Sequence, residues 1–360
     1  MEKMYYRRKL NNYRLLFLIN LLYLCGQNLE TMRLTVILTI IFIFTYTDVF
    51  AQERTAETIS QKVYLQTSDA EKYALRINKY DLEDHVKMLC SPEFEGRRFG
   101  SNGNKKAMEY ILSEFKRNDL PQSKNNWQKQ FFKQDSTFGV NVIGVIEGSL
   151  YPDENVIITC HYDGLGIIDT TLFQSADDNA TGVAALIELA EAFSAAIKDG
   201  IHPKRTIILV AFDAGKQEML GSKIYAKYPI KPLSKTQILL NMDMLGRDDC
   251  GLKINEHNYV FLLGNNEFPP NSKQITDSIN SSYTHLNVEY NFYKNDYVYQ
   301  LFYPTSDHYS LAHLVPSIFY TGGINGDVQS QYDTADKISY TTLRKRVQLV
   351  FYTAWHYANR

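Results

Sequence analysis

From about residue 78 to the end of the chain, short runs rich in Val, Ile, Leu and Phe alternate with longer stretches that gather apolar residues on one helical face. No other feature restricts the fold as much. The runs VNVIGVIEG, NVIITCHYD, RTIILVAFD, QILLNMDML, YVFLLG and PSIFYTGG are nearly continuous in apolar character, as strands buried on both faces are. Between them, TGVAALIELAEAFSAAI sets Val183, Leu186, Ile187, Leu189 and Phe193 on one broad face, and LRKRVQLVFYTAWHYA closes the chain in the same manner. Strands of this kind separated by helices build an α/β fold, a three-layer sandwich whose mostly parallel, mixed central sheet is flanked by helices. Neither an internal repeat nor a Pro/Gly-rich linker interrupts the pattern. Residues 78–360 are therefore expected to form one domain, with 52–77 as an N-terminal extension or helix.

The first 51 residues differ in kind. RLLFLINLLYLC and LTVILTIIFIFTYT are apolar, yet each is shorter than the ~20 residues that span a bilayer. The second follows Met32-Arg33 and ends at DVFAQE, which supplies a basic start, an apolar middle and small cleavage residues at Val49 and Ala51. The expectation is a signal peptide cut after Ala51, with Met32 as the true start and residues 1–31 as upstream sequence. The protein would then be exported, periplasmic or extracellular, and would meet a membrane only if the leader were retained. Cys25, in LYLCG, is a poor lipid-attachment box because Leu precedes it. The other cysteines, Cys90, Cys160 and Cys250, are odd in number and lack C-x-x-C spacing, so they are expected to be free, buried thiols. A formal net charge of -2 over 360 residues, with no basic run after residue 60, excludes nucleic acid as an evident partner.

In a sheet of this type chemistry gathers where parallel strands end. CHYDG places His161 and Asp163 just past a strand, SADDNATG sets Asp177 and Asp178 before a helix, and NMDMLGR holds Asp243. FDAGKQEMLGS and the C-terminal GDVQSQYDTADK are two further strand-end or loop candidates. Imidazole and carboxylates at neighbouring strand ends form the N/O donor set that zinc takes.

In the order of these motifs, from LCSPEFEGRRFGSNGNKKAMEYI to YDTADKI, the sequence resembles the aminopeptidase Y-type family of co-catalytic zinc exopeptidases, kin of glutamate carboxypeptidase, glutaminyl cyclase and the transferrin receptor. The resemblance implies the zinc-exopeptidase fold. In that family the His of H-x-D and an Asp after a strand bind one zinc, and the Asp before the cis peptide of D-D-N-A-S-G bridges two ions. The second Glu of D-A-E-E-x-G-L-L-G-S and the His of D-Y-H-T-P-x-D-T bind the other ion, while the first Glu is the general base. Carried over position by position, His161, Asp178 and Asp243 match one half-site. Gly215 stands at the general-base position, and Lys216 and Gln329 stand at the two lost ligand positions.

A glycine cannot take a proton, and an ammonium repels a dication that a carboxylate would attract. Asp213 is an ordinary member of the pattern, and Glu218 lies two residues further into the turn, so neither replaces the lost groups. The resemblance thus implies at most one zinc, held by His161, Asp178 and Asp243, or a metal-free pocket in which Lys216 pairs with Asp178. Asp307 and His308, in TSDHYS, match a segment lining the family's substrate pocket, although His308 could equally be a packing residue. Arg97 and Arg98, in EGRR, are expected to be structural. Three functions follow from the resemblance: an active zinc aminopeptidase, a non-catalytic relative that binds a peptide or protein ligand in the cleft, and cyclisation of N-terminal glutamine. The last needs the half-site that is missing here. The second fits the residues best.

Overall fold

The structure, a computed structural model, describes residues 58–59, 68–119, 127–251, 257–264, 271–292 and 296–360. The chain divides into two units, Met1–Ile59 and Ser60–Arg360. Of the first unit only residues 58–59 are described, so the expected leader, its cut after Ala51, the start at Met32 and Cys25 all lie outside the described residues.

In the second unit, helix α1 (Lys79–Leu89) starts at Asn78, whose side chain accepts from the backbone N–H groups of Tyr80 and Asp81 at 2.9 and 3.1 Å. Helix α2 (Asn102–Arg117) is capped by Ser101 Oγ, which accepts from Asn104 N at 3.1 Å. Each cap satisfies backbone donors that a helix start leaves unpaired. The strands follow in chain order: β1 (Trp127–Gln134), β2 (Thr137–Ile146), β3 (Tyr151–His161), then a small hairpin of β4 (Gly166–Ile168) and β5 (Thr171–Phe173). Helix α3 (Thr181–Lys198) leads to β6 (Arg205–Phe212), α4 (Leu220–Lys227), β7 (Thr236–Met242) and β8 (Tyr259–Leu263). The chain closes with α5 (Ser272–Ile279), β9 (Asn287–Glu289), α6 (Asp296–Phe302), β10 (Ser317–Thr321) and α7 (Tyr340–Asn359).

Eight strands form one sheet in the order β1-β2-β6-β3-β7-β10-β8-β9. The central four, β6, β3, β7 and β10, run parallel, while β2 on one side and β8 on the other join antiparallel. This is the expected mixed sheet with a parallel centre. The six apolar runs become β2, β3, β6, β7, β8 and β10. Their continuous burial follows from helices on both faces: Ile208, Val210 and Phe212 of β6 pack with Tyr225 of α4, and α3 and α7 cover the opposite face. Helix α3 is apolar and long enough to cross a bilayer, yet 83% of its most apolar window is buried in the protein, as befits a core helix. Its Phe193 lies 4.7 Å from Phe351 of α7, centroid to centroid, and stacks on Trp355 at 6.2 Å.

Cys90 and Cys160 are buried free thiols as expected, but Cys250 is free and exposed. It follows Asp248 and Asp249 in a surface turn rather than a strand, which the apolar reading of cysteine did not allow for.

Candidate functional site

Strand register brings the site together. His161, the last residue of β3, lies level with Phe212, the last of β6, and Thr159 pairs with Asn241 of β7. Counting two residues on from that pair along parallel strands puts His161 level with Asp243. Asp163, Asp213 and Asp243 thus emerge at one carboxyl-terminal edge, with Asp178 delivered by the segment that opens α3.

Each side chain is held by its own backbone or polar ties. His161 Nδ1 sits 3.1 Å from the carbonyl oxygen of Asp163 and 3.3 Å from its Oδ1. His161 Nε2 faces Asp178 Oδ1 at 3.3 Å and Asp243 Oδ1 at 3.6 Å. Asp243 is fixed by a relay in which the Thr159 hydroxyl donates to Asn241 Oδ1 (2.8 Å), Asn241 Nδ2 donates to Ser306 Oγ (2.9 Å) and Ser306 donates to Asp243 Oδ2 (2.7 Å). Asp243 Oδ1 is buried without a hydrogen bond. The backbone N–H groups of Asp177 and Asp178 donate to the two oxygens of Asp333 at 2.9 and 3.2 Å. Asn179 Oδ1 accepts from Gly182 N at 3.1 Å and so caps α3, and the Asp178-Asn179 peptide is cis, as the resemblance implies. Both oxygens of Asp163 are spent on the turn after β6, accepting from Gly215 N (2.7 Å) and Lys216 N (2.8 Å).

That last tie decides what Lys216 does. With its backbone clamped by Asp163, its Nζ donates to Asp178 Oδ1, and the two side chains are only 17% and 8% exposed. Burial alone would push Asp178 up, but the Lys216 ammonium and His161 beside it hold its carboxyl well below the usual carboxylate range. Burial likewise opposes charge on Lys216 and His161, yet the carboxylates of Asp178 and Asp243 raise the lysine, and Asp243, Asp163 and Asp178 raise the imidazole. The site is one buried cluster in which two cationic side chains, Lys216 and His161, lie among three carboxylates, those of Asp163, Asp178 and Asp243.

The other expected residues fall elsewhere. Gly215 packs so tightly that a Cβ there would lie 2.8 and 2.9 Å from His161 Cγ and Cβ, and 3.0 Å from Asp163 Oδ1. Glu218 projects into solvent, 93% exposed, which is consistent with its being no substitute ligand. Asp213 is buried and accepts from Asn104 Nδ2 (2.9 Å) and Val140 N (3.0 Å), and burial pushes it up to about 6. Gln329 is exposed with a left-handed φ of 57°, and among the described residues no hydrogen bond or ion pair joins it to His161, Asp178 or Asp243. Asp307 is buried, and burial pushes it up to about 6. His308 does not line an open pocket. It is fully buried, stacked on Phe319 at 4.6 Å and edge-on to Tyr303 at 4.5 Å, and burial lowers it to about 3. Sequence reasoning passed over Ser306 and Asp333, whose work is to hold neighbours rather than to react and whose only signal was proximity to the motifs, whereas Arg97, expected to be structural, is spent on main-chain carbonyls.

The donor chemistry fits a metal ion. Donor atoms of His161, Asp178 and Asp243 all lie within 4.8 Å of one another, an N/O/O set suited to zinc, and Asp243 Oδ1 is free of hydrogen bonds. Opposite them, Gly215 and Lys216 offer no metal ligand, and Gln329 is not drawn in. When bound, zinc polarises a carbonyl and lowers the pKa of water at the site. This chain's own residues orient that half-site through Ser306, Asp163 and Asp333.

An imidazole and a carboxylate at adjacent parallel strand ends, joined by a second carboxylate from the segment before α3, make this edge of the α/β sheet a candidate metal centre. The sequence profile of Peptidase family M28 matches residues 141–354, more than half of the chain, and the chain belongs to that family. It is 38% identical over 104 residues to a probable glutamate carboxypeptidase of Arabidopsis thaliana, a stretch covering 29% of this chain and 14% of that protein. It is 33% identical over 82 residues to transferrin receptor protein 2 of Homo sapiens, covering 23% of this chain and 9% of that one. The chain thus spans only a small part of the length of the curated relatives it matches. Among solved structures, BSAP, a zinc aminopeptidase from Bacillus subtilis, superposes with a TM-score of 0.62 at 12% identity, covering 79% of this chain and 96% of that one. Glutaminyl cyclase of Bacteroides thetaiotaomicron does so with 0.58 at 16%, covering 78% and 98%. These likenesses show a shared fold.

Proposed function

We propose that this M28 family member binds a peptide or protein ligand in its cleft with little or no hydrolysis, because the Lys216 ammonium occupies a ligand carboxylate and Gly215 stands where the general base is expected. The observation that carries the reading is the Lys216 ammonium on Asp178, the carboxylate that the resemblance makes the bridging ligand. A unit charge about 5 Å from a dication at an effective dielectric of about 20 repels it by ~6–7 kcal/mol before carboxylates screen it. The missing carboxylate at Gly215 removes the general base, a loss typically worth ~10²- to 10⁴-fold in rate. The tight contact of Gly215 with His161 supports the view that the turn has settled around a side chain of no size.

A second reading, an active metallo-aminopeptidase with one zinc, draws on the open Asp243 Oδ1 and the compact donor set. One experiment separates the two. Purified protein is assayed for zinc and for turnover of aminoacyl-nitroanilides, and tripeptides are titrated in by calorimetry. Sub-stoichiometric zinc, no turnover and measurable tripeptide binding are expected. Two zinc ions per chain with steady turnover would end the proposal, and one zinc with turnover would establish the second reading in its place.

A further inference from the structure

Arg97 is fully buried, and no hydrogen bond or ion pair among the described residues joins it to a carboxylate. A buried cation is costly to desolvate, so its retention calls for a task. Its guanidinium is spent on main-chain carbonyls: Nε donates to Tyr162 O (3.0 Å), one terminal nitrogen to Leu89 O (2.6 Å) and Gln174 O (3.0 Å), and the other to Ser175 O (2.8 Å). Those carbonyls belong to three separate pieces of chain. Leu89 ends α1, Tyr162 directly follows His161, and Gln174 and Ser175 lead straight into Asp177 and Asp178.

The loop that presents Arg97 is shaped for this reach. Glu95, Gly96 and Arg97 all have left-handed backbone, with φ of 50°, 65° and 57°. Gly96 is wedged between the ends of the β4–β5 hairpin, where a Cβ would lie 2.4 Å from Phe173 O and 2.7 Å from Gly166 O. The main chain of Arg97 adds to the clamp, its carbonyl accepting from Gly164 N at 3.0 Å. A planar fork of five donors serves these four carbonyls on three segments at once, one more than the three donors of an ammonium can reach, and an apolar side chain can reach none of them.

We propose that Arg97 is a positioning residue that sets the approach of His161 to Asp178 by tying the segment after β3 to the segment before α3. The inference stands apart from the proposed function, since it concerns the spacing of the two side chains whether or not an ion enters between them. Arg97→Met and Arg97→Lys are compared with wild type by ¹⁵N spectroscopy of histidine ring nitrogens in the full chain, whose 8 histidines make assignment by single substitution practical. Phe193→Leu, which loosens the packing between α3 and α7, serves as a control for lost stability alone. The expected result is loss of the hydrogen-bonded Nε2 signature of His161 in both Arg97 variants, with the His308 and His356 signals in place and the His161 signature intact in Phe193→Leu. Should Arg97→Met fail to fold, Arg97→Lys, which keeps the stem and the charge, decides alone. A wild-type His161 signature in Arg97→Lys, whatever its melting temperature, overturns the proposal.

Discussion

Lys216→Met isolates the interaction on which the functional reading rests. The pair with Asp178 is almost wholly buried, and removing one partner of such a pair costs about 3–5 kcal/mol. Asp178 keeps His161 at 3.3 Å, so the lower end applies, ~3 kcal/mol, or a fall of roughly 5–10 °C in melting temperature for a domain of this size. Zinc should reverse the loss. Deleting the ammonium removes most of the ~6–7 kcal/mol of repulsion, equivalent to about four decades or more of affinity. At a hundredfold excess over its dissociation constant the ion then returns ~2.7 kcal/mol, nearly all that the substitution took away. The assay is thermal unfolding of wild type and variant in chelator and across a zinc titration, with bound metal measured directly. Wild type should be stable in chelator and indifferent to zinc, whereas the variant should be unstable in chelator and rescued by zinc. Equal zinc affinity in the two proteins, or a metal-free variant as stable as wild type, would show that the ammonium is not what fills the site.

Two further outcomes are expected. Gly215→Ala must push its new Cβ into His161 and Asp163, so denaturant unfolding should show a loss of about 1–3 kcal/mol, and a carboxylate restored at that position alone should yield no aminopeptidase activity. Glu188, buried within α3 beside His85 at 3.7 Å, is raised by burial to about 8. Its folded form therefore binds a proton that the unfolded chain releases from about 4.5 upward, so its contribution to stability is present in acid and lost as pH rises through about 8. His85, lowered by burial to about 4, acts in the opposite sense, losing stability as pH falls from about 6.5 to 4. Glu188→Gln should accordingly flatten the decline in melting temperature between about pH 5 and pH 8 while leaving the acid limb unchanged, and an unaltered decline would assign it to other groups.

The central sheet was legible because its signal is local: strand segments covered on both faces are largely apolar, and so are the buried runs of β3, β6, β7 and β10. β1 was not, since WQKQFFKQ is an edge strand whose mixed polarity resembles a loop, and its place is set by pairing with β2. The three-residue strands β4, β5 and β9 are too short to carry any period. At the site, His161, Asp178 and Asp243 could be read from motif spacing, and the structure brings them together. The neutral character of His308 could not, because it depends on Phe319 and Tyr303 closing over the ring. Nor could the role of Arg97, since carbonyl acceptors are common to every residue and leave no mark in the sequence.

The M28 profile begins at residue 141, yet α1, α2, Arg97 and β1 all precede it. An excised fragment starting at that boundary would leave the carbonyls of Tyr162, Gln174 and Ser175 facing an empty socket, strip Asp213 of the Asn104 amide, and turn β2 into a raw sheet margin. The smallest piece able to fold autonomously is therefore larger than the homologous segment, and expression trials should start no later than α1.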